Sequence, residues 1–530
     1  LAMAWRHLAW IMVLALSWRE ATPVPMRTST RARGGTTQRH DTPHAMLPSG
    51  RRLAAANCSE EWFEQPISHF SWAPPPGGRS TYKQRYFVCL GNTKGPAPPV
   101  FFYFGNEDNV ELYVEHTGIM WETAPDMGAA LVFLEHRYYG LSLPFAPNTS
   151  GCMSYLTTEE AMADAASFLT AMRAGLLLTV GSVGPVVGFG GSYGGMLATW
   201  FRLQYPHLVD GVVAGSAPIW SFLHMHPAYD SSAYLRIVSD AASAKGGATD
   251  ACKVNFRRVQ PLVSRLAASL KGRRQLSASM RTCKNLDNEA EAQGLVAWLQ
   301  EPWSYLAMGN FPYASSYLVH GAGLLPAYPV RAACQSLDLL PPDATVDELL
   351  EAAREAAGVY YNFSKTVSCF YNNATTRRPP IYGAPRAAAP TPARPHARAQ
   401  SGGESECVGD WGYSWCTEMV QPFSNDGVRD MFWPPTAFNL TSASDECYAE
   451  WRVRPRPQWP VTQFGDKAHS LYESSNIVFS NGLLDPWSAG GVLHTISQSV
   501  VAIVIPSGAH HSDFMFENEL DGQDVKAARA

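Results

Sequence analysis

A chain of 530 residues is long enough for one large elaborated domain or two, and 46% hydrophobic against 16% charged residues provide a sizeable core. A formal net charge of −5 argues against a general nucleic-acid or anionic-membrane binder. Beyond the first residues, no stretch is apolar enough to predict a transmembrane helix.

In chain order, Arg6 and His7 precede an apolar run over 8–16 that is too short to span a bilayer, so residues 1–18 read as a secretory signal peptide. Residues 19–56 are rich in Arg, Thr, Pro and Ala and read as a disordered or pro-segment. Glycosylation sequons begin at Asn57, Asn148, Asn362, Asn373 and Asn439. Ten cysteines in an exported chain are expected to be partly disulfide-bonded. No Cys or His spacing suggests zinc, and neither metal nor cofactor is expected.

Residues 98–104 predict a buried strand that ends in Gly105-Asn106-Glu107-Asp108-Asn109. In a hydrolase sheet such a loop supplies an oxyanion donor, here the backbone of Gly105 or Asn106; the plain alternative is an ordinary turn. Residues 129–134 predict another strand, followed by Glu135-His136-Arg137-Tyr138-Tyr139-Gly140. His136 is a candidate general base, but a structural role for the Glu135/Arg137 cluster is the better reading, because in this chain order the base lies far downstream. A capping box from Thr157 to Glu160 opens a crossover helix.

A strand over 183–189 then runs into Gly190-Gly191-Ser192-Tyr193-Gly194, a G-x-S-x-G match before a helix that ends near Tyr205-Pro206. A serine on so sharp a strand-to-helix turn exposes its hydroxyl, and the helix N-terminus, starting with the Tyr193 N–H, faces developing negative charge. The alternative is a glycine-rich turn that packs helix on sheet. With a further strand over 208–214, the alternation predicts a parallel α/β sheet.

Residues 221–370 are mostly helical in pattern. A second capping box runs from Thr345 to Glu348, and Val346, Leu349, Leu350, Ala353 and Ala357 share one face. This is an insertion that could roof a site. Residues 376–406 are Pro-, Ala- and Arg-rich and read as a disordered loop. The sheet signal returns at 476–480, followed by Asp485-Pro486-Trp487, and at 500–505, followed by His510-His511.

Serine, aspartate and histidine thus stand in α/β-hydrolase order after successive strands. A serine hydroxyl needs an imidazole to take its proton, and the imidazole needs a carboxylate to hold its tautomer. Pattern alone does not choose between His510 and His511. The layout predicted is an α/β-hydrolase domain in two parts, 57–220 and 456–530, with a mainly helical cap insertion over 221–455.

Several stretches together resemble the proline-specific serine peptidase family of lysosomal Pro-X carboxypeptidase, dipeptidyl peptidase II and thymus-specific serine protease. They are Phe102-Tyr103-Phe104-Gly105-Asn106-Glu107, Glu135 to Gly140, Gly190 to Met196, Cys416-Thr417-Glu418-Met419-Val420, Ser480-Asn481-Gly482, Leu484-Asp485-Pro486-Trp487-Ser488 and Gly508-Ala509-His510-His511. The resemblance implies an α/β-hydrolase with a helical cap that cleaves proline-containing peptides after proline near a terminus, in a lysosomal, vacuolar or secreted setting. It implies Ser192 as nucleophile, Asp485 as acid and His510 as base, and it places Met196 and Trp487 beside a proline pocket in which Gln421 replaces an apolar residue.

The resemblance also implies the pairs Cys252–Cys334, Cys283–Cys369 and Cys416–Cys447, and leaves Cys58, Cys89, Cys152 and Cys407 unassigned. Ser424 stands where relatives often carry a cysteine, and no cysteine lies between Ser192 and Cys252 to pair with it. Ser512 and Met515 replace the usual Leu and Arg. No nucleic-acid partner and no stable membrane insertion after signal removal are expected; a homodimer and the choice between carboxypeptidase and dipeptidyl peptidase stay open. The rival readings are an esterase or lipase on the same fold, or a catalytically inactive hydrolase-fold binding protein.

Overall fold

A computed structural model describes residues 58–178, 182–318, 324–366, 368–370 and 407–530. The signal and pro-segments, Asn57, Asn373 and the 376–406 stretch lie outside the described residues.

Eight strands form one sheet: β1 Ser59–Pro66, β2 Thr81–Cys89, β3 Val100–Tyr103, β4 Ala130–Leu134, β5 Val186–Gly191, β6 Gly211–Gly215, β7 Ile477–Gly482 and β8 Val500–Ile505. Their order is β1-β2-β4-β3-β5-β6-β7-β8. The pairs β1/β2 and β2/β4 are antiparallel and the others parallel. The first two strands had no clear sequence signal. β1 is an exposed edge, and β2 buries Gln84 and Arg85 in place of an apolar alternation.

Central strands are apolar on both faces because both faces are covered. Val100 and Phe102 of β3 point into a core shared with Phe168 of the helix Thr158–Arg173 and Trp200 of the helix Tyr193–Gln204. Phe101 and Tyr103 point the other way, toward Tyr113 and Met120 of the helices Val110–His116 and Gly118–Met127. This is the two-residue alternation of a strand.

Only half of the capping box expected at Thr157 forms. Thr157 Oγ1 accepts the Glu160 N–H at 3.2 Å, but the Glu160 carboxylate accepts instead from Ser68 Oγ (2.6 Å) and His69 N (2.8 Å), 3.5 Å from Arg137. Charge-assisted contacts to a passing segment outcompete the helix's own first N–H.

Between β6 and β7 the chain leaves the sheet. The helices Ala233–Ala241, Asp250–Ala267, Leu270–Ser279, Glu289–Met308, Pro329–Asp338 and Val346–Tyr361 contribute to a second core, which also takes in Trp487. Thr345 and Glu348 make both halves of a capping box; Leu349, Leu350, Ala353 and Ala357 are buried, and Val346 is partly so. A mostly parallel sheet flanked by helices, carrying a helical insertion on its C-terminal side, is an α/β-hydrolase fold.

Five disulfides are present: Cys58–Cys89, Cys152–Cys407, Cys252–Cys334, Cys283–Cys369 and Cys416–Cys447. Ser424 sits with its Oγ 2.8 Å from Ser231 Oγ, and its N–H donates to the Ser231 carbonyl. Among the described residues, no helix is long and apolar enough to cross a membrane.

Candidate active site

Ser192 follows β5 at the cap of the next helix, with a positive φ of 58° and ψ of −126°. Such a backbone persists only where the surroundings enforce it. Glycines make the turn feasible: a Cβ on Gly190 would lie 2.1 Å from the Gly194 carbonyl oxygen, and one on Gly194 would lie 2.2 Å from Asn106 Oδ1. The Ser192 N–H donates to the Gly215 carbonyl at 2.9 Å, so the turn hangs on the neighbouring strand. Gly191 and Tyr193 are buried, whereas Ser192 is partly exposed.

The register Gly191↔Gly215 and Gly215↔Ser480 aligns the C-terminal ends of β5, β6 and β7 at one rim. Asp485 follows β7 and His510 follows β8. Their loops are joined by Leu484 N–H to the Gly508 carbonyl at 3.1 Å. Asp485 Oδ2 lies 2.9 Å from His510 Nδ1, and both residues are buried. The other carboxylate oxygen accepts the Trp487 N–H at 3.1 Å. A carboxylate fixed this way holds the proton on Nδ1 and leaves Nε2 free to take one.

Of the two adjacent imidazoles, then, His510 has the carboxylate. His511 donates its backbone N–H to Ser216 Oγ at 3.0 Å, and its Nδ1 lies 3.3 Å from Tyr317 Oη. Burial, with His510 beside it, holds the His511 pKa well below the ordinary histidine range. Among the described residues, no hydrogen bond joins Ser192 Oγ to either ring. Contacts of this kind are commonly loose before substrate binds.

The loop after β3 is clamped to the nucleophile turn. Asn106 Nδ2 donates to the Gly191 carbonyl at 2.6 Å, and Asn106 Oδ1 accepts from Tyr103 Oη at 3.0 Å. Gly105 is packed against the Leu134 carbonyl and the His136 N–H, where any side chain would clash. Next to this loop, Glu107 Oε2 is shielded and unpartnered, and burial pushes the carboxyl up to about 7.

Tyr193 is braced from behind. Its hydroxyl lies 3.2 Å from His136 Nε2, and His136 Nδ1 lies 2.7 Å from the Arg137 carbonyl. The ring therefore carries its proton on Nδ1 and accepts from Tyr193, and burial lowers its pKa to about 4. The flanking charges are paired: Glu135 with Arg85 at 2.6 Å, and Arg137 with both oxygens of Asp164 at 2.6 and 2.7 Å. Glu418 Oε1 accepts from Thr158 N and Oγ1 at 2.6 and 2.7 Å, and burial together with Glu159 pushes this acid up to about 8.

The three residues assigned to a proline pocket are not packed as one cluster. Trp487 meets Tyr234 and Phe423 edge-to-face, with centroids 4.9 and 6.0 Å apart, and its Nε1 lies 3.1 Å from Met308 Sδ. Gln421 is buried and donates from Nε2 to Ser221 Oγ at 2.8 Å. Met196 is buried in the sheet core with Leu197 and Trp200.

Sequence reading missed Met308, whose carbonyl accepts the His510 N–H at 3.0 Å. A backbone acceptor leaves no residue signature to find. Asn148 and Asn439 are exposed and Asn362 partly so. Among the described residues, no group of His, Cys, Asp or Glu is arranged to hold a metal ion.

The family model described as serine carboxypeptidase S28 matches residues 65–530. The chain is 37% identical over 486 residues to the lysosomal Pro-X carboxypeptidase of Homo sapiens, covering 91% of this chain and 88% of that one. It is 35% identical over 515 residues to the lysosomal Pro-X carboxypeptidase of Mus musculus, covering 96% and 93%. It is 28% identical over 493 residues to the thymus-specific serine protease of Mus musculus, covering 88% and 85%. Membership implies peptide substrates, and five disulfides agree with folding in the secretory pathway. The fold, the serine elbow and these matches lead to one assignment: the chain belongs to the serine carboxypeptidase S28 family and is a serine-type peptidase.

Proposed function

We propose that this peptidase is an exopeptidase that hydrolyses the bond after proline near a chain terminus, with Ser192, His510 and Asp485 as its triad. The observation that carries the reading is the buried 2.9 Å contact between Asp485 and His510 at the rim where Ser192 turns. Ser192 Oγ attacks the scissile carbonyl while His510 Nε2 takes its proton. Asp485 holds the Nδ1 proton and balances the imidazolium. The N–H of Tyr193 and one from Gly105 or Asn106 receive the oxyanion. His510 then passes the proton to the leaving amine, and water attacks the acyl-enzyme by the same route in reverse.

Support for proline comes from the relatives named Pro-X carboxypeptidase and from Trp487 with Phe423 and Tyr234, a rigid aromatic corner suited to a compact ring. The same relatives favour release of the C-terminal residue, in a lysosomal or secreted setting, with a peptide as substrate. The test is Ser192→Ala in purified protein, with product masses read from one peptide with proline second from the N-terminus and another with proline second from the C-terminus. A loss of at least about 10³-fold is expected. Undiminished turnover would refute the triad.

A further inference from the structure

The residue after the nucleophile is held from behind by a short chain of hydrogen bonds. His136 Nδ1 donates to the Arg137 carbonyl, so its Nε2 accepts, 3.2 Å from Tyr193 Oη. On the other side, Thr158 Oγ1 lies 3.4 Å from the same phenol. Thr158 gives its own proton to Glu418 Oε1 at 2.7 Å, so toward Tyr193 it only accepts. The single phenol proton is therefore shared between an imidazole and a threonine, and Glu418 sets the threonine. Trp411, at the start of the helix that Glu418 caps, closes a third side, edge-to-face on the Tyr193 ring at 5.1 Å.

Glu418 sits where a charge has no compensation. Its Oε1 takes two donors of Thr158, N at 2.6 Å and Oγ1 at 2.7 Å, whereas Oε2 is shielded and without a partner. The titratable and charged groups that face it are Glu159, Arg456, Tyr193 and Tyr413. Glu159 is fixed by Trp459 Nε1 at 2.7 Å, and Arg456 is exposed. A shielded carboxyl oxygen with no donor keeps a proton. Burial and Glu159 accordingly raise this carboxyl to about 8.

We propose that Glu418 is a positioning residue for the oxyanion donor: in its neutral form it holds Thr158, Thr158 holds the Tyr193 hydroxyl, and the Tyr193 N–H beside Ser192 is thereby aimed at the developing charge. The inference rests on the nucleophile and oxyanion assignments given above, not on the proline reading. Once the carboxyl ionises, the charge on Oε2 has no donor in the site. The side chain turns to water, Thr158 loses its acceptor, and the phenol loses one of its two partners. A small displacement of a donor costs about 10- to 100-fold in rate.

The test is the second-order rate constant for labelling of Ser192 by a neutral fluorophosphonate, on protein that circular dichroism shows folded. The reaction builds charge on the phosphoryl oxygen, so it reads the oxyanion donors, and the probe carries no titrating group. The wild-type constant should fall as pH rises through about 8. Glu418→Ala should be about 10- to 100-fold slower at about pH 6, and Tyr193→Phe should add little to that loss, because the two act through one contact. Glu418→Gln keeps the acceptor for Thr158 and cannot ionise, so it should restore the constant at about pH 6 and hold it above about pH 8. Should Glu418→Ala fail to fold, the profile of Glu418→Gln against the wild type decides alone. A wild-type constant that does not fall, or a fall that Glu418→Gln shares, overturns this inference and leaves the triad standing. A wild type that the probe labels nowhere in the range overturns both.

Discussion

The carbonyl of Met308, at the end of an insertion helix, accepts the backbone N–H of His510 at 3.0 Å. The same residue's sulfur meets Trp487 Nε1 at 3.1 Å. One residue of the insertion thus contacts both the loop that carries His510 and the residue two past Asp485. Met308→Ala keeps the carbonyl and removes the sulfur. Steady-state kinetics on a proline peptide should show KM raised several-fold with kcat within about 3-fold, the signature of lost binding rather than lost chemistry. An unchanged KM would show that Trp487 needs no such support.

Asp485→Asn places an amide beside His510 Nδ1. An amide N–H facing that nitrogen forces the proton onto Nε2, the wrong tautomer for a base. The rate should fall by about 10⁴-fold while the melting temperature changes little. A fall below about tenfold would show that the carboxylate does not serve His510.

Glu418 gives a pH prediction with a definite sign. Its pKa is raised from an ordinary 4.5 to about 8 by burial and Glu159. A raised carboxyl favours folding fully below the unfolded value, and that contribution is lost as pH rises through the folded one. Stability measured by urea melts should therefore decline between about pH 4.5 and 8. Glu418→Gln, which keeps an acceptor for Thr158 and carries no charge, should flatten that decline. The share due to Glu107, raised to about 7, should persist in this variant. Parallel pH profiles for the two proteins would contradict the assignment.

Ser231 and Ser424 touch through their hydroxyls at 2.8 Å. The double substitution Ser231→Cys with Ser424→Cys should form a sixth disulfide and raise stability by about 2–4 kcal/mol. Thiol titration of the unfolded protein counts it directly. Two free thiols would show that the backbones do not approach in the required geometry.

The parts of this molecule that read clearly from sequence are those in which residue type and geometry are tied together. Ser192 at a positive-φ turn demands Gly190 and Gly194, and an apolar strand must lead into it, so the motif is self-announcing. Asp485 and His510 follow strands of ordinary β-branched pattern. By contrast, β2 hides Gln84 and Arg85 in the interior because Glu135 and its neighbours satisfy them, and no hydropathy pattern anticipates that. Glu160 looked like a helix cap but is drawn to Ser68 and His69, which lie far away in sequence. The pairing of Cys58 with Cys89 follows from the β1/β2 register, which was itself unreadable. The choice of His510 over His511 rests on resemblance; in the structure it is His510 that meets the Asp485 carboxylate.

The bond between Cys152 and Cys407 joins residues 255 positions apart. The other four disulfides each close within 58–370 or within 407–530. A peptide-bond cut anywhere in 371–406 would therefore give a two-chain protein, with Ser192 on one polypeptide and Asp485 and His510 on the other, held covalently by this single link. Such material would run as one band on a non-reducing gel and as two after reduction. Maturation by nicking would be invisible to any measurement that leaves the link intact.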